Sequence, residues 1–239
     1  MLKSLPTLAA ILLLASTQAT AQTPAPTKAP PALVFLSPDL LKPQMVLPAP
    51  YAEGSPQALA ELAEVRAIVA AASPERHAQA EADNENESAA VFADVLPGFD
   101  IAKFPATQKL FDEVRNDEDA EAKTFKTYFA RRRPYQADPT IATCVEDSKR
   151  PTSYPSGHAT MGYSMAIVLA NLVPTKADVI MARARLYAEN RLVCGVHFRS
   201  DIVAGQVLGT LVAEQLLQDP RFHQDFTAAQ AELTAAGIQ

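Results

Sequence analysis

Along most of the chain apolar residues recur every three or four positions, and the runs are separated by short breaks rich in Pro, Gly and Ser. That period is helical, and sustained two-residue alternation is scarce, so the expected fold class is all-α. The pattern predicts helices over about 56–72 and 75–94, then a break at Pro97-Gly98. The stretch 105–134, "PATQKLFDEVRNDEDAEAKTFKTYFARRRP", predicts two more, stopped before Pro134. A loop is expected from Tyr135 to Tyr154, followed by helices over about 157–172, 176–191, 200–218 and 222–236. A body of this length supports one core, so residues 56–239 are expected to form a single helical bundle.

The segment before that body reads differently. Residues 22–56 hold nine of the nineteen prolines, which rules out long helices there and predicts an extended arm over 22–55. Its apolar pieces, "ALVFLSPDLL" and "MVLPAPY", are expected to pack on the body. Residues 1–21 have the make-up of a secretory leader: Lys3, the apolar run Leu8–Ala15, and the small-residue site Ala19-Thr20-Ala21. Cleavage after Ala21 and a periplasmic or secreted location are expected. An uncleaved anchor is the alternative, though the run is short for a bilayer. No later segment reaches transmembrane length, so no stable membrane insertion is expected.

Charge and cysteines narrow the function. The formal charge is −6, and −7 without residues 1–21, which carry one Lys and no acid. An acidic surface argues against nucleic acid as the main partner, but a local basic pocket can still bind an anionic substrate. Cys144 and Cys194 are expected to pair in an oxidising compartment, with two buried free thiols as the alternative.

Three stretches carry candidate chemistry. In "KTYFARRRP", Lys126 and Arg133 are seven residues apart, about two helical turns, which predicts both cations on nearly one face, with Arg131 and Arg132 on others. A solvated basic helix end is the competing reading. In "YPSGHATMGYS", Gly157 permits close backbone approach, Ser156 offers a hydroxyl, and the free amides of a starting helix favour an anion. His158 then stands where it can protonate a leaving oxygen; a serine cap beside an incidental histidine is the competing reading. In "NRLVCGVHFRSD", His197 and Asp201 are one helical turn apart, so the carboxylate can hold one ring nitrogen and leave the other free to attack. A surface ion pair is the alternative there. Together with Arg191 these groups make a coherent phosphate site: Lys126, Arg133 and Arg191 would neutralise phosphoryl oxygens while one histidine attacks and the other protonates. His77 and His223 lie in polar helical sequence and are given no role.

The order Lys126…Arg133-Pro134, then Pro155-Ser156-Gly157-His158, then Arg191…His197…Asp201 resembles the type-2 phosphatidic acid phosphatase superfamily, which includes the vanadium haloperoxidases. "TC" at 143–144, "CGVHF" at 194–198 and the final helices resemble bacterial class A non-specific acid phosphatases. The resemblance implies an all-α fold, His197 as nucleophile forming a phosphohistidine, Asp201 orienting it, and His158 as general acid. It implies phosphate binding by Lys126, Arg133, Ser156, Gly157 and Arg191, with no metal and no other cofactor. Small phosphate monoesters would be the substrates, phosphotransfer to other alcohols could accompany hydrolysis, and homo-oligomers, often dimers, are usual in such enzymes. Two departures are Asn190, where the family usually has Ser, and Phe198, often Trp. They are expected to tune Arg191 and to alter the pocket wall. The alternatives are a vanadate-dependent haloperoxidase-like enzyme and a non-catalytic phosphate-binding module.

Overall fold

The computed structural model describes residues 32–145 and 151–238. The leader 1–21, its cleavage site and the first part of the arm lie outside the described residues. Nine α-helices and three short 3-10 turns make up the described fold, with no strand among those residues. The helices are α1 (Pro43–Val46), α2 (Pro56–Ala71), α3 (Pro74–Glu85), α4 (Pro105–Phe129), α5 (Pro134–Ala137), α6 (Gly157–Leu172), α7 (Ala177–Val193), α8 (Arg199–Gln218) and α9 (Pro220–Ala235). The expected all-α class is what is found.

Local chemistry explains where several of these helices begin. Ser55, Ser73 and Asp219 cap α2, α3 and α9 by accepting a backbone N–H of the first turn, and each is followed by Pro at the first helical position. Proline loses nothing there, because that N–H has no intrahelical partner. Helix α6 is buried along most of its length, and α4, α7 and α8 pack against it. Phe111, Phe125, Met161, Met165, Tyr187 and Leu208 are among the side chains of the main core.

Two glycines set how closely α6 and α8 approach. A Cβ on Gly205 would sit 2.5 Å from the Ser156 carbonyl oxygen, and one on Gly209 would overlap the Thr160 carbonyl oxygen. The two backbones meet there with no side chain between them. The Ser156 N–H then donates to the Asp201 carbonyl at 3.0 Å, tying the start of α6 to the first turn of α8. Gly209→Ala is expected to destabilise the fold by about 2 kcal/mol, since overlap with backbone outweighs alanine's helix preference. Urea unfolding measures this, and a wild-type midpoint would refute the close-contact role.

Two expectations are corrected. Residues 105–129 form one 25-residue helix rather than two. No Gly or Pro interrupts it, and its buried Asp117 accepts the backbone N–H groups of Val34, Phe35 and Leu36 at 2.7–2.9 Å, pinning the arm to α4. The helix stops at Ala130, whose left-handed backbone (φ 46, ψ 41) turns the chain. Lys126 and Arg133 therefore do not share a helix face; Arg133 lies beyond the turn. The second correction is at 75–94, where α3 ends at Glu85. Ser88 Oγ donates to Asn86 Oδ1 and accepts from Ala90 N, and such side-chain bonds compete with helix continuation.

Cys144 and Cys194 form a disulfide, Cα–Cα 4.9 Å. Loop closure over this separation stabilises the fold by about 4 kcal/mol in the chain-entropy model. Gly195, at φ +67, makes the adjoining turn, and a Cβ there would meet the Ala142 carbonyl oxygen at 2.5 Å. Of the arm, residues 32–55 lack long helices, and Pro43–Val46 makes a single turn.

Candidate active site

The three singled-out stretches converge where the end of α4, the start of α6, the end of α7 and the start of α8 meet. His197 is buried just before α8. Its Nδ1 lies 3.3 Å from Asp201 Oδ2, and its Nε2 lies 3.2 Å from Arg133 Nη1. A carboxylate accepts and a guanidinium donates, so the neutral ring with Nδ1–H satisfies both and keeps its lone pair on Nε2. Burial, with Arg133, Lys126 and Arg191 nearby, holds the His197 imidazole well below its ordinary pKa.

Asp201 is held on every side. It accepts Phe198 N at 2.8 Å, Ser153 Oγ at 2.6 Å and Arg131 Nη1 at 2.6 Å, besides facing His197. Burial raises its pKa, and Arg131 opposes that shift. Arg131 also donates to Glu61 Oε2 at 2.8 Å and stacks over the Phe198 ring at 4.1 Å. It is thus a buried structural cation, assigned no role from the sequence, where nothing linked it to partners 70 residues away on either side.

The remaining cations differ from Arg131. Lys126 Nζ donates to the carbonyls of Thr152 and Pro155 at 2.8 and 2.6 Å. Arg133 donates to the Val196 carbonyl at 3.0 Å. Arg191 Nη1 donates to Asn84 Oδ1 at 2.8 Å, and its buried Nε has no partner. Among the described residues none of the three pairs with a carboxylate. Arg131 and Arg183, also buried, pair with Glu61 and Asp201 and with Asp83 and Asp94. Burial and then Arg133 bring Lys126 down to about 7; burial, opposed by Tyr187 and reinforced by Arg133, brings Arg191 to about 10. Three crowded, desolvated cations without acids are what an oxyanion would stabilise.

The PSGH stretch completes the rim. Ser156 caps α6, its Oγ accepting Ala159 N at 3.4 Å. Gly157 faces Lys126: a Cβ there would contact its Cε at 3.6 Å. His158 stacks on Tyr187, centroids 5.6 Å apart, with Nε2 3.3 Å from the Asn84 carbonyl oxygen. Asn84, at the end of α3, therefore holds both His158 and Arg191, and no local sequence signal marked it. Asn190 donates to Asp83 at 2.6 Å, so the direct partner of Arg191 is Asn84 rather than Asn190. Phe198 lines, with Leu59, Leu62 and Phe129, a 530 Å³ groove beside Arg131. His77 bonds the Val69 carbonyl, and His223 stacks on Phe226. Among the described residues no three His, Cys, Asp or Glu side chains are grouped to hold a metal ion, and no helix is long and apolar enough to cross a membrane.

Residues 120–223 match the model of the PAP2 superfamily, and that span includes every site residue singled out in the sequence. Its sequence relatives include an acid phosphatase of Zymomonas mobilis subsp. mobilis, 33% identical over 141 residues, covering 57% of this chain and 53% of that protein. A non-specific acid phosphatase of Providencia stuartii is 30% identical over 133 residues, covering 54% of this chain and 53% of its own. The chain spans about half the length of the curated relatives it matches. In fold it is similar to a bacterial vanadium-dependent iodoperoxidase, at TM-score 0.56 and 18% identity, covering 72% of this chain and 51% of that one. It is also similar to a transmembrane PAP2-type phosphatidylglycerolphosphate phosphatase of Bacillus subtilis, at TM-score 0.50 and 20% identity, covering 67% and 85%.

Proposed function

We propose that the protein is an exported acid phosphatase that hydrolyses a broad range of small phosphate monoesters through a phosphohistidine on His197. The observation that carries this reading is the set of three cations, Lys126, Arg133 and Arg191, that pair with no carboxylate among the described residues, around a buried imidazole whose Nδ1 faces Asp201. The names of the sequence relatives support it. The substrate phosphoryl group sits among those cations, against Gly157 at the start of α6. His197 Nε2 attacks phosphorus, the P–O ester bond breaks, and a proton from His158 goes to the leaving oxygen. Water then attacks the phosphohistidine, His158 takes its proton, the P–N bond breaks, and phosphate leaves. An alcohol in place of water gives phosphotransfer by the same steps.

In the free site Arg191 and Lys126, after burial itself, push the His158 pKa well down. A bound phosphate dianion offsets those charges and favours the protonated ring needed for the first step. The Cys144–Cys194 bridge supports an oxidising compartment, and with it removal of residues 1–21 on export.

Trapping the intermediate tests this function. Acid quench during turnover is expected to lose the label, and alkaline quench to keep it on His197, because a phosphoramidate is acid-labile and base-stable. An acid-stable phosphoenzyme, or none under alkaline quench while phosphate is being released, would overturn the histidine route.

A further inference from the structure

His158 is flanked unlike His197. Its Nε2 faces the Asn84 carbonyl oxygen at 3.3 Å, and its Nδ1 lies 3.5 Å from Glu87 Oε1. Both partners are acceptors. A neutral imidazole has one N–H and can satisfy only one of them, whereas the doubly protonated ring satisfies both. His197, between an acceptor and a donor, is suited to the neutral form. The contacts beside the two rings therefore favour opposite protonation states.

Glu87 does not reach His158 as a loose surface side chain. Its carboxylate is 48% exposed, yet Oε2 accepts Arg115 Nη2 at 2.6 Å. The other arm of Arg115 pairs with Glu118, which is buried in α4, and Asp119 Oδ1 lies 3.6 Å away. A buried acid thus fixes the arginine, and the arginine fixes Glu87 against the ring. The other groups facing His158 are Lys126 and Arg115 from α4, Arg191 and Tyr187 from α7, and His197 from the turn before α8. Arg191, Lys126 and Arg115 disfavour the imidazolium, and Asp83 and Glu118 lie close enough to act on the stacked Tyr187; among the described residues Glu87 is the acid in contact with the ring.

We propose that Glu87, braced by Arg115, is a positioning residue for His158 that favours the doubly protonated ring and fixes its orientation. The catalytic part of this rests on the reading of His158 as general acid. In that step the His158 proton moves to the leaving oxygen, the ring becomes neutral, and Glu87 stays a carboxylate throughout.

Titrating the His158 ring nitrogens by NMR in the full chain tests the inference without turnover. In Glu87→Gln the His158 pKa is expected to fall by about one unit, the size of a lost contact with a half-exposed charge. Glu87→Asp should fall between that variant and wild type. In kinetics, the alkaline limb of kcat should move to lower pH by the same amount with KM little changed. The loss should be about tenfold greater for an alkyl phosphate than for p-nitrophenyl phosphate, whose leaving group needs no proton. An unchanged His158 titration in both variants, or a ring neutral from pH 3 to 9 in wild type and variants alike, overturns the inference, as do equal losses on the two esters. If the wild-type protein releases no phosphate from any ester, the phosphatase reading fails, while the ring titration still decides the role of Glu87.

Discussion

Replacing His197 by alanine is expected to abolish phosphate release, with kcat falling more than about a thousandfold, because it removes the imidazole proposed to take phosphorus. The fold should survive. Asp201, left without the imidazole, still accepts Arg131, Ser153 and the Phe198 amide, so no buried charge is orphaned. Lys126, Arg133 and Arg191 remain, so inorganic phosphate should still bind. Steady-state rates with two esters, together with circular dichroism and phosphate binding, separate loss of the nucleophile from loss of structure. Activity within a few-fold of wild type would remove His197 from the mechanism and move the nucleophile elsewhere.

The second large effect is expected at Arg131. Arg131→Met keeps most of the side-chain volume but leaves Asp201 and Glu61, both buried, without their shared cation. Breaking a buried pair from one side costs about 3–5 kcal/mol, since the uncompensated charge stays desolvated. The methionine also forfeits the stacking over Phe198. Activity in the folded fraction should drop as well, because Asp201 loses the bond that fixes its Oδ1 and with it the register of Oδ2 on His197. Arg132→Met is the matched control: its pair with Glu53 is exposed on both sides, and such pairs contribute under about 1 kcal/mol. Urea unfolding of the two variants should therefore differ by several-fold in its effect. Equal, small shifts would show that Arg131 does not carry this part of the site.

The reasons for the difference between these two arginines are not local. Both follow Lys126 within six residues, both lie in "ARRRP", and nothing in that string separates them. Arg131 finds Glu61 on α2 and Asp201 on α8; Arg132 finds Glu53 in the arm. The same limit applies to Asn84 and Glu87, which meet His158 and Arg191 only because α3 ends early and lies along α7. The expectation that Lys126 and Arg133 share a helix face was wrong for a related reason. It assumed that a helical period carries on to the next proline, whereas Ala130 adopts a left-handed conformation three residues short of Arg133.

What the sequence alone determined is whatever depends on neighbours within a turn or two. The helix starts at Ser-Pro and Asp-Pro, the cap at Ser156, the His197–Asp201 spacing and the all-α class are of this kind, because capping, backbone period and side-chain reach act over a few residues. Only the tertiary structure decided which buried cations have an acid and which await an anion. Pairing in a low-dielectric interior depends on what distant segments bring within a few ångströms, and here the bare glycine contact between α6 and α8 sets that approach.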